Sequence, residues 1–165
     1  MEPTCIFCAI AAGRAPAHRV FEDELSYAIL DIHPFTRGHC LVIPKRHVPW
    51  WYELTEAETA SLLGVARVVA NRMMRVFKPD LVTLYARGRR IPHTHLFLVP
   101  THGGDLLDRY FNALEKFQEM PAELAQLREP AAMAETARLL REVESAGDGE
   151  TAPERGLNQQ GTGHD

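Results

Sequence analysis

The sequence predicts an α+β domain organised around a mostly antiparallel sheet. The chain has 165 residues, of which 45% are hydrophobic and 24% are charged, so it can bury the core of one compact domain. Strand-like runs follow one another as hairpins instead of alternating regularly with helices, which favours antiparallel pairing. Only one long segment has strong helical periodicity, and no internal linker or repeat separates two cores.

The strand pattern occurs in five short runs. The turn-like pair Asp23-Glu24 separates the first two runs, and Pro44 closes the third. The last run carries two histidines, and Gly103-Gly104 breaks the chain soon after it. The predicted strands span Arg19–Glu22, Ser26–Leu30, Cys40–Ile43, Leu81–Tyr85 and Ile91–Val99.

One long helix is predicted over Glu56–Phe77. Thr55 with Glu58 three residues later forms a capping box, and apolar residues then recur at helical spacing. Pro79 ends the segment, because proline cannot continue a helix. Weaker helical patterns follow at residues 105–117 and 130–144.

The end of the sequence differs in composition from the rest. After residue 144 the chain contains five glycines and three apolar residues, too few to offset the entropy of ordering. We therefore predict a domain over residues 1–144, which ends in a helical extension, and a disordered tail over residues 145–165.

Composition also excludes several classes of function. The formal net charge of -4 argues against nucleic-acid binding as the main activity. No apolar run approaches the roughly 20 residues of a membrane helix, and the first residues do not have a signal-peptide pattern. Three cysteines, an odd number, point away from a disulfide scaffold and towards a reducing compartment. The sequence therefore predicts a cytoplasmic protein with no membrane partner.

The segment IPHTHLFLVP at residues 91–100 has the densest chemical signal. In a strand, the period of two places His93, His95 and Phe97 on one face. Two neighbouring histidines are compatible with a metal site, with a nucleophile and its supporting base, or with polar positions on a solvated face.

A CxxC pair opens the chain. Cys5 and Cys8 with distant histidines fit a tetrahedral zinc site, because thiolates and imidazoles are the ligands that zinc prefers. A redox motif is less favoured, since only four residues precede Cys5 and no strand leads into the pair. Two ordinary buried cysteines are the remaining alternative. Cys40 lies inside an apolar strand and is predicted to belong to the core.

Two further signals concern anionic and sugar groups. Gly88 followed by Arg89 and Arg90 suits the approach of a phosphate, although a solvated hairpin turn has the same composition. Asp31 ends an apolar strand, where a carboxylate can accept the hydroxyls of a ribose or can simply cap a turn.

Three segments together resemble the histidine-triad (HIT) family of nucleotide hydrolases and transferases. They are CIFCAIAAGRAPAHRVFEDE, AILDIHPFTRGHCLVIPKRH and IPHTHLFLVP, which occur in the family's order and spacing. All three look like the bacterial branch of the family, which includes zinc-containing members. The resemblance implies an α+β fold with a five-stranded antiparallel sheet and a homodimer in which two sheets join.

The resemblance also implies roles for particular residues. His95 takes the position of the nucleophile. The zinc ligands correspond to Cys5, Cys8, His47 and His93, and four ligands without an open position would make the zinc structural. The residues that would line the pocket of a purine nucleotide, with the aspartate on the ribose, are Ile6, Phe7, Ile10, Ile29, Leu30 and Asp31.

Two positions depart from the family pattern. The third histidine is Phe97, and the glutamine that usually lies four residues before the first histidine is Arg89. The loop before the motif is also short. Gly88 and Phe97 are expected to contact the nucleotide, and Arg89 or Arg90 to supply positive charge to its phosphate.

These residues predict a hydrolase or nucleotidyl transferase that acts at the α-phosphate of a nucleotide. Neutral imidazole, with an ordinary pKa of about 6.5, is a competent nucleophile at neutral pH. His95 would form a nucleotidyl-histidine intermediate with a dinucleoside polyphosphate or a nucleoside phosphoramidate, and water would hydrolyse it. The alternative is a zinc-stabilised nucleotide-binding protein that lost turnover at Phe97. A hydrolase with metal-activated water is disfavoured, because four protein ligands would occupy all coordination positions of the zinc and leave none for water.

Overall fold

Five strands pair into one antiparallel sheet in the computed structural model, which describes residues 5–119 and 121–142. The strands are β1 (Arg19–Glu22), β2 (Ser26–Leu30), β3 (Cys40–Pro44), β4 (Leu81–Ala86) and β5 (Leu96–Thr101). Their order across the sheet is β1-β2-β3-β5-β4, and each neighbouring pair is antiparallel. This confirms the predicted α+β class and the five-stranded sheet.

Helices and short turns connect the strands. The helices are α1 (Ile6–Ala11), α2 (Glu56–Phe77), α3 (Leu106–Glu119), α4 (Ala122–Ala125) and α5 (Pro130–Glu142). Two 3-10 turns span Trp51–Glu53 and Gln126–Arg128. The bounds of α2 are those that the sequence predicted.

The strand that follows the histidine motif starts later than the sequence indicated. The prediction began it at Ile91, whereas β5 begins at Leu96. The neighbouring β4 ends at Ala86, which pairs with Leu96, so earlier residues have no strand partner on that side. Pro92 also lacks the N–H group that a ladder requires. Both histidines therefore lie in an irregular segment before the strand, and their predicted position on a strand face is wrong.

The long helix α2 covers one face of the sheet. Its first turn contains the predicted capping box: the Thr55 side chain accepts a hydrogen bond from Glu58 N, and the Glu58 carboxylate accepts one from Thr55 N. Cys40 is buried here, as predicted for a core residue. The core on this face consists of Ala28, Cys40, Val42, Leu96 and Leu98 from the sheet with Leu62, Val65, Ala66, Val69 and Met73 from α2.

The opposite face of the sheet packs against the short helix α1. Alternate strand residues point to this face because side chains in a strand alternate between the two sides. The Tyr27 hydroxyl donates a hydrogen bond of 2.8 Å to the Phe7 carbonyl, which fixes α1 to β2. The buried residues of this cluster are Phe7, Ile10, Tyr27, Ile29, Leu41 and Ile43.

The described residues fall into two compact units, one that ends at Ala125 and one that begins at Gln126. The first contains the sheet and helices α1 to α4, and the second contains α5. The predicted tail over residues 145–165 lies outside the described residues, so the domain over residues 1–144 stays a prediction. No described helix is both long and apolar enough to span a bilayer.

Candidate functional site

The segment before β5 buries its two histidines by backbone contacts with other parts of the chain. His93 N donates to the Ile91 carbonyl at 2.8 Å, which forms a tight turn. Thr94 N donates to the Val48 carbonyl at 2.6 Å and so ties the segment to the loop after β3. His93 is 0% exposed and His95 is 7% exposed. The alternative that both histidines are polar residues on a solvated face is therefore excluded.

The ring of His95 has a defined orientation. Its Nδ1 lies 2.7 Å from the His93 carbonyl oxygen. A carbonyl can only accept a hydrogen bond, so Nδ1 carries the proton and Nε2 keeps the lone pair in the neutral ring. The Phe7 ring meets the His95 ring at a centroid distance of 5.2 Å and holds it from the α1 side.

A group of two thiols and two imidazoles lies next to His95. The ligand atoms of Cys5, Cys8, His47 and His93 all lie within 4.8 Å of one another. His93 Nδ1 is 3.4 Å from Cys5 Sγ and 3.6 Å from Cys8 Sγ, while His47 Nδ1 is 3.4 Å from Cys8 Sγ. Zinc bonds of about 2.1 to 2.3 Å at tetrahedral angles separate their ligand atoms by roughly 3.5 Å. The four side chains therefore fit a metal ion with little movement.

The protonation of His93 is set by its surroundings. Its Nε2 donates to the Pro44 carbonyl at 2.9 Å, which leaves the lone pair on Nδ1, the atom that faces the thiols. Burial lowers the pKa of His93, and the nearby rings of His47 and His95 lower it further, although the Pro44 carbonyl opposes the shift. The neutral imidazole is the form that binds a metal.

The predicted nucleoside-binding residues do not all lie together. Phe7, Ile10 and Ile29 belong to the apolar cluster beneath α1. Ile6 is 46% exposed on the same helix. Leu30 lies instead on the α2 side of the sheet, where it lines an apolar cavity of about 280 Å³ together with Cys40 and residues of α2.

Asp31 directly follows β2 and contacts a histidine that the sequence reasoning missed. Asp31 Oδ1 accepts a hydrogen bond of 2.7 Å from His33 N, and Oδ2 lies 3.7 Å from His39 Nε2. His39 is buried, and burial lowers its pKa although the Asp31 carboxylate opposes this shift. Its position just before a buried strand was the signal in the sequence. Asp31 thus has one oxygen fixed by a turn and the other beside an imidazole.

Phe97 lies in an aromatic cluster. Its ring stacks on Tyr85 with centroids 4.6 Å apart and planes within 4°, and it meets His95 edge-on at 5.1 Å. His39 contacts the Phe97 ring at 5.7 Å, and Phe111 of α3 contacts Tyr85 at 6.0 Å. Phe97 is therefore part of an aromatic cluster and has no side-chain hydrogen-bond donor of its own.

A cavity of about 190 Å³ opens beside His95. Its lining residues are Pro49, Trp50, Trp51, Tyr52, Ala86, Arg87, Gly88, Thr94 and His95. Gly88 has a positive φ of 58°, which glycine adopts most easily.

Arg89 and Arg90, expected at the phosphate, are exposed and are not among the residues that line this cavity, whereas their neighbour Arg87 is. The aromatic run before α2 and Arg87 were missed, although the run of three aromatic residues at positions 50–52 was visible in the sequence.

The antiparallel sheet, the buried histidine with a defined ring orientation and the neighbouring thiols and imidazoles agree with the resemblance to the zinc-containing histidine-triad proteins. The chain belongs to the HIT domain family, whose family model matches residues 12–104. The match covers the sheet, α2 and the histidine motif.

Relatives and solved structures agree with this assignment. An uncharacterized HIT-like protein of Mycobacterium tuberculosis is 38% identical over 108 residues, which cover 62% of this chain and 75% of that protein. A bifunctional bis(5'-adenosyl)-triphosphatase/adenylylsulfatase of Arabidopsis thaliana is 32% identical over 133 residues, which cover 75% of this chain and 74% of that protein. A zinc-bound histidine triad family protein of Mycobacterium smegmatis superposes with a TM-score of 0.59 at 37% identity, covering 63% of this chain and 79% of that one.

Proposed function

We propose that this protein is a nucleotide hydrolase or nucleotidyl transferase in which His95 attacks the α-phosphorus. The observation that carries this proposal is the hydrogen bond from His95 Nδ1 to the His93 carbonyl, because it leaves the Nε2 lone pair on a ring that borders a cavity. The Arabidopsis relative, whose name describes hydrolysis of a dinucleoside triphosphate and of an adenylyl sulfate, supports the substrate class.

The reaction has two steps. Nε2 of His95 forms a bond to the α-phosphorus, and the bridging bond on the far side breaks with its electron pair on the leaving group. Water then forms a P–O bond as the P–N bond breaks, which releases a nucleoside monophosphate and restores the imidazole. Arg87, Arg89 and Arg90 are the candidates for stabilising charge on the phosphate oxygens, and Arg87 is the one that borders the cavity.

The nucleoside would lie on the α1 side of His95. Ile6 is exposed on α1 and offers an apolar contact for a purine, whereas Phe7, Ile10 and Ile29 form the buried cluster that supports this helix. Asp31 would accept hydrogen bonds from the ribose hydroxyls. The proximity of Phe7 to the His95 ring supports this placement, because a nucleoside held there would present its phosphate to Nε2.

We further propose that the two thiols and two imidazoles bind one structural zinc ion. When bound, the ion would cross-link α1 and the loop after β3 to the segment that carries the nucleophile. Four protein ligands leave no coordination position for a substrate or an activated water. The fit of the four ligand atoms and the zinc-bound mycobacterial relative support this assignment.

A second candidate function is nucleotide binding without turnover. Phe97 favours it, because an aromatic ring stacked on Tyr85 stands where the family has a histidine and can donate no hydrogen bond to the transition state. The pocket, the zinc and the fold would be the same in both cases.

Trapping of the intermediate separates the two candidates. The protein is mixed with a panel of adenylyl compounds, quenched and digested, and the peptide that contains residue 95 is weighed by mass spectrometry. The enzyme predicts a nucleotidyl adduct on His95 that is absent from His95→Ala protein. Tight binding of the same compounds with neither adduct nor product would establish the second candidate.

We also infer a cytoplasmic homodimer joined through the sheet. The edge strand β4 supports the dimer, since Leu81 and Leu84 are about half exposed there, and unpaired apolar edges are usually covered. A monomeric mass by light scattering at working concentration would exclude this assembly.

A further inference from the structure

Three consecutive aromatic residues form one side of the cavity next to His95. The rings of Trp50 and Tyr52 are parallel within 6° at a centroid distance of 6.3 Å, and Trp51 meets Tyr52 edge-on at 6.0 Å. Trp51 is 58% exposed and Tyr52 is 51% exposed, so these rings are not core residues. We call Trp50, Trp51 and Tyr52 the aromatic wall. An exposed cluster of this kind is a surface on which a flat ring can stack.

The aromatic wall is held at a fixed place relative to the nucleophile. Just before the wall, the Val48 carbonyl accepts the hydrogen bond from Thr94 N, the residue that precedes His95. On the other side of the cavity, a Cβ atom built on Gly88 would lie 3.9 Å from the Trp50 ring, which is ordinary contact distance. The hydrogen bond between Thr94 and Val48 therefore fixes the segment that leads into the wall next to His95.

The charge of the cavity suits an anionic ligand. Among the described residues that line it, Arg87 is the one with a permanent positive charge, and none is a carboxylate. A guanidinium group pairs well with phosphate oxygens. The lining therefore combines a stacking surface with a phosphate-binding group.

The cavity is separate from the apolar cluster beneath α1, on the side where the proposed function places the nucleoside. Its lining includes none of the residues Phe7, Ile10 and Ile29, which pack together beneath α1. Its volume of about 190 Å³ is below the roughly 300 Å³ at the lower end of sites that enclose a drug-sized ligand. This volume is enough to enclose one ring system, so the sugar of a second nucleotide would lie outside the cavity.

We propose that the aromatic wall and Arg87 form the subsite for the leaving group, and that this leaving group is a nucleoside phosphate. Its base stacks on the wall, while its phosphates lie beside Arg87. Attack by His95 then breaks the bond between the α-phosphorus and its bridging oxygen, and the electron pair leaves with the nucleoside phosphate. The preferred substrates are dinucleoside polyphosphates rather than phosphoramidates of small amines. This inference rests on the proposed function and names its substrate class.

Two substrates with the same scissile bond test the subsite. Diadenosine triphosphate and the γ-methyl ester of adenosine triphosphate carry the same charge and differ in the second nucleoside. Stacking of a base on aromatic side chains increases binding by about tenfold or more, so kcat/KM for diadenosine triphosphate should exceed that for the methyl ester by about this factor. Trp51→Ala and Tyr52→Ala should reduce the ratio, while Phe117→Ala, which removes an exposed aromatic ring on α3 outside the cavity, should not.

Intrinsic fluorescence provides a readout that does not depend on turnover. The chain has two tryptophans, and both belong to the aromatic wall. In His95→Ala protein, which keeps the substrate intact, diadenosine triphosphate should change the emission much more than the methyl ester does. An equal response to both ligands would show that the first adenosine occupies the cavity, and it would overturn the subsite.

The outcomes separate this inference from the proposed function. Turnover of both substrates at the same rate, without a difference in fluorescence, would overturn the subsite and leave the role of His95 intact. A fluorescence response specific to diadenosine triphosphate, in a protein that forms no adduct at His95, would support the subsite and overturn the enzyme.

Discussion

The two faces of the sheet differ in what covers them and in what they can do. On one face a helix of 22 residues packs on the sheet through an apolar core, and the buried carboxylate of Glu58 lies at the start of this helix. On the other face a helix of six residues, an irregular segment and aromatic side chains surround thiols and imidazoles. The first face provides the stability of the domain, and the second positions reactive groups on short segments that the sheet holds in place.

The largest effect expected from this difference is on catalysis. His95→Ala should lower turnover by about a thousandfold or more, because no other group can replace the nucleophile. The free energy of unfolding should fall by about 1 to 3 kcal/mol, because the buried ring contacts Phe7 and donates a hydrogen bond to the His93 carbonyl. Leu62→Ala on the α2 face is the matched control: denaturant unfolding should show a loss of about 2 to 5 kcal/mol, with turnover per folded molecule retained. Loss of stability in His95→Ala without loss of turnover would reverse the roles of the faces.

The next largest effect concerns the metal. Elemental analysis of protein purified without chelators should find about one zinc per chain, the stoichiometry of a four-ligand site. Cys5→Ser should lower the free energy of unfolding by about 3 kcal/mol or more, because binding of the metal is coupled to folding. Cys40→Ala, a change at a buried cysteine on the α2 face, should keep the zinc. Metal-free protein in which Cys5 and Cys8 react freely with thiol reagents would remove the site.

The α2 face was predictable from the sequence almost completely. The Thr55 and Glu58 pair, the helical spacing of apolar residues and Pro79 are local signals, and local signals determine where a helix begins and ends. The spacing of the cysteines and the resemblance to a family likewise indicated the residues that the structure brings into one metal-binding group.

The opposite face was predictable only in part. The alternation of residues 91–99 suggested a strand, but the end of β4 and Pro92 decide where pairing begins, and periodicity does not contain that information. The placement of Leu30 on the α2 side follows from strand register. His39 and the aromatic wall depend on contacts between segments far apart in the chain, which a single sequence does not specify.

A smaller effect is expected at Asp31, the residue proposed to bind the ribose. Asp31→Ala should weaken binding of ribonucleotides by about 1.5 to 3 kcal/mol, since a charged acceptor of hydroxyl hydrogen bonds is lost. Binding of deoxyribonucleotides should change much less, and calorimetric titration of both sugars supplies the internal control. An equal loss of affinity for ribonucleotides and deoxyribonucleotides would show that Asp31 is only a turn residue, whose carboxylate accepts a hydrogen bond from His33 N.

The departure from the family at residue 97 is expected to have a modest effect. Phe97→His places a donor 5.1 Å from the His95 ring, measured between the present ring centroids, and should raise kcat by about tenfold if charge on the phosphate is under-stabilised. In the same assay, Arg87→Ala and Arg89→Ala show which of the two arginines stabilises the negative charge on the phosphate. A fall in kcat with little change in KM marks the arginine that stabilises the transition state. Lower kcat in Phe97→His would show that stacking on Tyr85 contributes more than a donor would.

The smallest expected effect is the pH dependence of stability that Glu58 causes. Its carboxylate accepts hydrogen bonds from Arg46 Nε at 2.6 Å and from Thr55 N at 2.9 Å. These bonds join the start of α2 to the residue before His47, one of the four proposed zinc ligands. The hydrogen bond from the Arg46 side chain is the main reason why the pKa of Glu58 is about 2 instead of the ordinary 4.5. Because the folded-state pKa is depressed, this stabilisation is present above about pH 4.5 and is lost as the pH falls towards 2.

Denaturant unfolding at a series of pH values measures the contribution of Glu58. Since the Arg46 side chain is 53% exposed and solvent screens the pair, we expect a loss of about 1 kcal/mol between about pH 5 and pH 3. A metal ion bound by the proposed zinc ligands would also be released in acid, but that loss is common to the original protein and to Glu58→Gln. The difference between the two curves therefore isolates Glu58, and it should shrink as the pH is lowered. Curves that stay parallel would mean that the capping box stabilises α2 through hydrogen bonds that do not depend on the charge of Glu58.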